Sequence, residues 1–152
     1  MNKYRTHNCN QLTIKEDGAN VILSGWINKK RDHGNLLFID IRDHYGITQC
    51  IIDKENSFFS KLEKLQLETV IRVNGLVKKR SQETVNQELN TGSIEIKIIS
   101  FDVIGTCKEL PIPVFSDQEY SEEIRLKYRF LDLRRKKIHE NMILRSKVVS
   151  FI

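Results

Sequence analysis

The sequence has no run of about 18 apolar residues, the length a helix needs to cross a bilayer. Its first residues, "MNKYRTHNCN", hold no apolar stretch of the kind a secretory signal requires. Cysteine is scarce. Cys9, Cys50 and Cys107 are odd in number, far apart and without metal-ligand spacing. This excludes a disulfide framework and a zinc site, and fits reduced thiols of a cytoplasmic protein. The histidines, His7, His33, His44 and His139, are scattered, and no Ser/His/Asp set, Cys/His set or glycine-rich phosphate loop is legible. No catalytic residue, metal site or cofactor site is therefore expected within these 152 residues. What is present is 39% hydrophobic and 30% charged residues, the balance of a soluble globular chain. A net charge of +5 modestly favours a polyanionic partner.

Between Val21 and Val103 the apolar pattern is mostly of period two. "VILSGWIN" (21–28), "NLLFIDIR" (35–42) and "ITQCIID" (47–53) each alternate as strands. Asp43 to Gly46 form the turn between the second and third, with Gly46 expected at a positive φ. "SFFSKLEKLQ" (57–66) changes period: Phe58, Leu62 and Leu65 share one helical face, and Asn56 is placed to cap its start. "TVIRVNGLVKK" (69–79) returns to alternation, and Asn74–Gly75 is expected as a glycine bulge inside one long bent strand. A polar loop (81–92) leads to "SIEIKIIS" (93–100), with Ile94, Ile96 and Ile98 inward and Glu95 and Lys97 outward. Five short strands with one helix between the third and fourth predict an all-β, five-stranded OB-fold Greek-key barrel. An SH3-like barrel or a generic sandwich is the alternative.

After Val103 the character changes. "GTCKELPIPVFSDQEY" (105–120) carries Pro111 and Pro113 and is expected to be a linker. From Ser121, a candidate cap followed by Glu122 and Glu123, the pattern is helical. Ile138, Met142, Val149 and Ile152 make an apolar stripe interrupted by Arg145. The stripe runs to the last residue, so the expectation is a fragment of a longer protein.

Strand parity marks one side chain as unusual. Leu37, Ile39 and Ile41 share the inner face, which leaves Phe38 on the polar face beside Asp40. An exposed ring there suits stacking on a nucleic-acid base, and packing under a loop is the other reading. "NKKRDHG" (28–34) places Lys29, Lys30 and Arg31 at the rim, where they suit phosphate binding or are simply solvated. Gln49 offers donors and an acceptor to a base edge, and Glu95 accepts only. "RLKYRFLDLRRKK" is dense in cations and is either a nucleic-acid contact or a solvated helix.

"GWINKKRDHGNLLFIDIRDHYGITQCIID", then "NTGSIEIK", then "RLKYRFLDLRRKK" together resemble the N-terminal part of bacterial aspartyl-tRNA synthetase. The resemblance implies an OB-fold anticodon-binding domain at 1–104, a helical linker and hinge at 105–135, and the truncated start of a class II catalytic domain at 136–152. It implies that Phe38 stacks on the central anticodon base, that Gln49 reads a base and that Glu95 contacts the first anticodon base. Arg31 matches an arginine of the family's basic rim, Arg80 a loop arginine near the anticodon, and Asn86 lies in the approaching loop. Asn35 departs from the pattern where glycine is frequent, and Lys29 and Lys30 where arginines are common. His33 resembles the relaxed type that charges both aspartate and asparagine tRNA, where leucine marks the strict type.

The parent enzyme implied is a cytoplasmic, homodimeric aspartate–tRNA ligase that uses ATP and Mg²⁺. The fragment would bind tRNA for Asp, and for Asn in the relaxed case, without activity of its own. It would need no membrane and is expected as a monomer. The corresponding region of a lysyl-tRNA synthetase, a free-standing single-strand-binding OB protein and a structural barrel that pairs with protein stand as alternatives.

Overall fold

A computed structural model describes residues 3–115 and 118–152. Met1 and Asn2 of the segment scanned for a signal, and Ser116 and Asp117 of the expected linker, lie outside the described residues. Two compact units are present, Met1–Lys108 and Glu109–Ile152.

The first unit is built on β1 (Asn20–Asp32), β2 (Leu36–Arg42), β3 (Ile47–Asp53), β4 (Val70–Lys79) and β5 (Ile94–Gly105), with helix α1 (Phe59–Glu63) between β3 and β4. The strands close in the order β1-β2-β3-β5-β4, which makes a barrel. All neighbours are antiparallel except β3 and β5, which run parallel and pair at Cys50–Ile96 and Ile51–Lys97. This is the OB-fold architecture expected from the strand order. Alternating residues enter the core, so Leu23, Ile27, Ile39, Ile41, Ile71, Val73, Ile94 and Ile96 are all fully buried. Phe59 and Leu62 of α1 are buried in the same core, with Phe58 and Leu65 packed partly against it. Asn56 is not the cap expected, because Phe58 takes the N-cap position without a side-chain capping bond; Asn56 instead holds the turn before the helix, its Oδ1 accepting from the Phe58 amide at 2.9 Å.

Three local features differ from or refine the sequence reading. First, β1 continues through Asp32, so Lys29, Lys30 and Arg31 lie on a strand rather than in a loop. Second, Gly46 is not at positive φ; among the described residues that conformation belongs to Gly18, Gly34 and Glu68. The Asp43–Gly46 turn is instead held by Asp43 Oδ1, which accepts from the Tyr45 and Gly46 amides at 2.8 and 3.0 Å. Glycine suits position 46 because a Cβ there would sit 2.8 Å from Asn10 Cβ. Third, the register of β4 on β5 shifts between Asn74 and Gly75, the irregularity expected there. A Cβ on Gly75 would meet Ile96 Cγ2 at 2.5 Å and the Lys97 carbonyl oxygen at 2.6 Å, so the strands approach too closely for a side chain.

The second unit contains α2 (Glu122–Lys127), α3 (Arg129–Asp132) and α4 (Lys136–Phe151). Ser121 stands at the N-cap of α2, but its side chain makes no capping bond. Ile112 and Val114, flanking Pro113, are buried with Leu131, so the proline segment takes part in packing. Helix α4 buries none of its residues.

Candidate nucleic-acid interface

Residues directly opposite on neighbouring antiparallel strands share a face. On the outer face, Arg31 of β1 faces Phe38 of β2, and Lys29 faces Asp40. Phe38 in turn faces Ile51 of β3, and Asp40 faces Gln49. Glu95 of β5 faces Lys78 of β4. The register of β1 on β2 is irregular between Ile27 and Lys29. This bulge makes Lys29 and Arg31 the outward pair, and it turns Lys30 the other way, opposite the core residue Ile39.

Lys30 is therefore placed elsewhere than its neighbours. Its ammonium donates to the carbonyls of Glu63 and Leu65, at the C-terminal end of α1. Free helix carbonyls attract a cation, and this pairing occupies the charge expected for phosphate. Partial burial lowers its pKa from the ordinary lysine value. Lys29 stays exposed.

Phe38 is half-buried, with the exposed His33 ring edge-on to it at 5.1 Å between centroids. Beside the ring lies a polar cluster. Arg31 Nη2 donates to Asp40 Oδ1 and to Gln49 Oε1, both at 3.1 Å. Arg80, just past the end of β4, lies 3.5 Å through Nε from Glu95 Oε2. Burial raises the Asp40 carboxyl from its ordinary value, and Arg31, Lys29 and Arg80 oppose the shift. Burial likewise raises Glu95, against the pull of Arg80. Arg80 itself is lowered by burial, against the pull of Glu95 and Asp40. These mutual effects join Arg31, Asp40, Arg80 and Glu95 into one field of alternating charge.

Arg80 Nη1 donates to the Thr84 carbonyl at 3.2 Å, but Nε and Nη2 are buried without a hydrogen-bond partner among the described residues. A buried donor left unmet costs about 1–3 kcal/mol. Nε still faces the Glu95 carboxylate, and Nη2 retains hydrogen-bonding capacity that the described residues do not use. Asn86 lies in the loop before β5, where its Oδ1 accepts from the Glu88 amide at 2.9 Å and shapes that loop. The structure therefore gathers Arg31, His33, Phe38, Gln49, Arg80 and Glu95 into two adjoining groups. Lys30 is directed to the helix end, and Asn86 is engaged within its own loop.

Asp40 was missed as a site residue. The available signal was its parity with Phe38: a carboxylate on the same strand face, opposite a run of cations. The arginine-rich segment after Ser121 forms a separate structure. Asp132 is fully buried and is paired by Arg125 at 3.2 Å, Arg129 at 2.6 Å and Arg135 at 3.7 Å. Much of that segment's positive charge is thereby directed at one carboxylate. Among the described residues no group of three or more His, Cys, Asp or Glu is placed to hold a metal. No described helix is long and apolar enough to cross a membrane.

Residues 21–104 match a family model described as an OB-fold nucleic acid binding domain. The full chain is 73% identical to part of an aspartate–tRNA(Asp/Asn) ligase from Pelagibacter ubique, of which it covers 26%. It is 53% identical over its whole length to a protein of the same name from Dinoroseobacter shibae, again covering 26%. The chain thus spans about a quarter of the length of these curated relatives. Among solved structures, asparaginyl-tRNA synthetase from Pyrococcus horikoshii complexed with asparaginyl-adenylate superposes with a TM-score of 0.79. Its sequence identity is 29%, over 95% of this chain and 32% of that one.

Proposed function

The chain belongs to the family of OB-fold nucleic acid binding domains, and from that premise we propose that it is the anticodon-recognition module of an aspartate–tRNA ligase. The observation that carries this reading is the company Phe38 keeps. One strand face combines a half-buried ring, a carboxamide at Gln49, a carboxylate at Glu95 and the cations Lys29 and Arg31. A ring takes the flat face of a base, contributing about 1–3 kcal/mol. Gln49 and Glu95 have the groups to meet base edges, and Lys29 and Arg31 the charge to meet the phosphate backbone. Arg80 adds a buried Nη2 donor without a hydrogen-bond partner among the described residues. The names of the relatives support the choice of tRNA.

In this reading the module binds and selects, while the reaction takes place on a part of the enzyme beyond these residues. The whole enzyme would be a cytoplasmic homodimer joining aspartate to tRNA, driven by ATP with Mg²⁺. His33, edge-on to Phe38, stands where the resemblance associates histidine with the relaxed type that also charges asparagine tRNA, and the (Asp/Asn) in the names of the relatives supports that reading. The two tRNAs differ at the third anticodon base, C or U, and a site tolerant there accepts both.

Binding of the 152-residue chain to anticodon stem-loops carrying GUC, GUU or an unrelated triplet tests the module. Tight, similar binding of the first two and weak binding of the third is expected. Equal affinity for all three would overturn the anticodon reading. Charging assays on the full-length enzyme test relaxed specificity, which fails if asparagine tRNA yields no product.

A further inference from the structure

We propose that Asp40 is a positioning residue for base selection: through Arg31 it holds the Gln49 carboxamide so that only its NH₂ group faces a base. This rests on the anticodon reading and deepens it. Arg31 Nη2 contacts both Asp40 oxygens, at 3.1 and 3.4 Å, and the Gln49 Oε1 at 3.1 Å. Asp40 is 8% exposed and Gln49 6%, so neither side chain has much freedom to turn elsewhere.

The chemistry then determines the direction of the amide. A guanidinium has donors and no acceptor, so the atom of Gln49 that faces Arg31 must be the oxygen. The nitrogen, with two donors, is left for the outer side. A free glutamine presents either end and accepts a base carbonyl or a base amino group equally well. A glutamine held in this way offers donors alone. It favours a carbonyl at the reading edge, as on uracil, over the exocyclic amino group of cytosine at the equivalent position. A site built for one hydrogen-bond polarity rejects the other because the mismatched groups are left unpaired.

Asp40 supplies what Arg31 lacks. Arg31 is a long side chain with 38% of its surface exposed, and the buried carboxylate anchors its free end. Lys29 faces Asp40 across the strand pair and adds charge to the same anchor. Asp40 touches no base in this arrangement.

The test is binding of the 152-residue chain to stem-loops with GUC and with GCC, which differ only in the central base, alongside an unrelated triplet. The wild type is expected to prefer GUC over GCC by about tenfold. Asp40→Asn should reduce that ratio severalfold while leaving the preference over the unrelated triplet in place, and it should do so only when Arg31 is present. In an Arg31→Ala background Asp40→Asn should leave the ratio unchanged. Gln49→Glu supplies a second measurement that does not depend on Asp40. With acceptors only, it should shift preference from GUC towards GCC. A merely structural Asp40 would lower affinity for GUC and GCC alike. An unchanged GUC/GCC ratio in Asp40→Asn or in Gln49→Glu, with wild-type preference over the unrelated triplet intact, would overturn this inference alone. Loss of that wild-type preference would overturn the anticodon reading on which it rests.

Discussion

In the barrel, the side chains removed from water are mostly isoleucines, leucines and valines from all five strands, whereas in the unit after Lys108 few apolar side chains are buried and a carboxylate is the most deeply buried polar group. The barrel encloses one continuous apolar cluster, although its unit also buries polar groups such as Asp43, Thr48 and Glu68. Among the described residues of the helical unit the buried apolar side chains are Ile112, Val114 and Leu131, and Arg125, Arg129 and Arg135 gather around Asp132. Apolar burial is non-directional and tolerates small shifts. A buried carboxylate holds its partners by geometry and becomes a liability when they are removed. The two units therefore draw on these forces in different proportion, and they should fail differently.

The largest effect is expected at the centre of the barrel. Ile39→Ala removes a fully buried side chain and should cost about 2–5 kcal/mol. Denaturant unfolding followed through Trp26 on β1 reads this loss. A cost below about 1 kcal/mol would mean that the apolar core is not what holds the barrel.

Next is Asp132→Asn, which leaves three arginines facing a neutral group. The cost should be about 3 kcal/mol, at the low end for a broken buried pair because Arg125 and Arg129 are partly exposed. Hydrogen exchange should speed up across α2 and α3 while barrel amides keep their protection. Equal loosening of the barrel would erase the contrast between the units.

Phe38→Ala sharpens the comparison from the functional side. It should weaken anticodon binding by about 1–3 kcal/mol with little change in barrel stability, because the ring belongs to the outer face. Full affinity in this variant would remove the stacking role.

The smallest effect concerns pH. Burial holds the Glu95 carboxyl above the ordinary glutamate value, with Arg80 opposing. Glu95 therefore protonates at a higher pH than an exposed glutamate. Binding that uses its carboxylate should weaken as pH falls through that raised value, and Glu95→Gln should remove this dependence. The sign for folding is the reverse. A carboxyl raised by the fold contributes stability at low pH that is lost as pH rises through the folded value. Affinity and stability should thus move in opposite directions in the acid range.

Strand alternation made the barrel legible because its core is apolar and period two is a strong signal. The inward set Leu37, Ile39 and Ile41, the helix after β3 and the irregularity at Gly75 all followed from pattern and residue type. The site was legible only in outline. Parity put Phe38, Gln49 and Glu95 outside, but parity within one strand says nothing about neighbours on another. Lys30 shows the limit: a bulge near Asn28, invisible as periodicity, shifted the parity of the strand, so that Lys29 and Arg31 face outward and Lys30 lies opposite the core residue Ile39. Asp40 shows it again, since its meaning lies in Arg31, 9 residues away along the chain, and in Gln49, 18 residues from Arg31.

By itself the sequence determined which residues leave water, because hydrophobic burial depends on side-chain type and spacing alone. It thereby determined the strand order, the helix after β3 and the outward ring of Phe38. Only the tertiary structure decided which polar groups meet. Hydrogen bonds and ion pairs act over a few ångströms, so closure of the barrel, its bulges and its register had to bring Arg31 to Asp40 and Arg80 to Glu95.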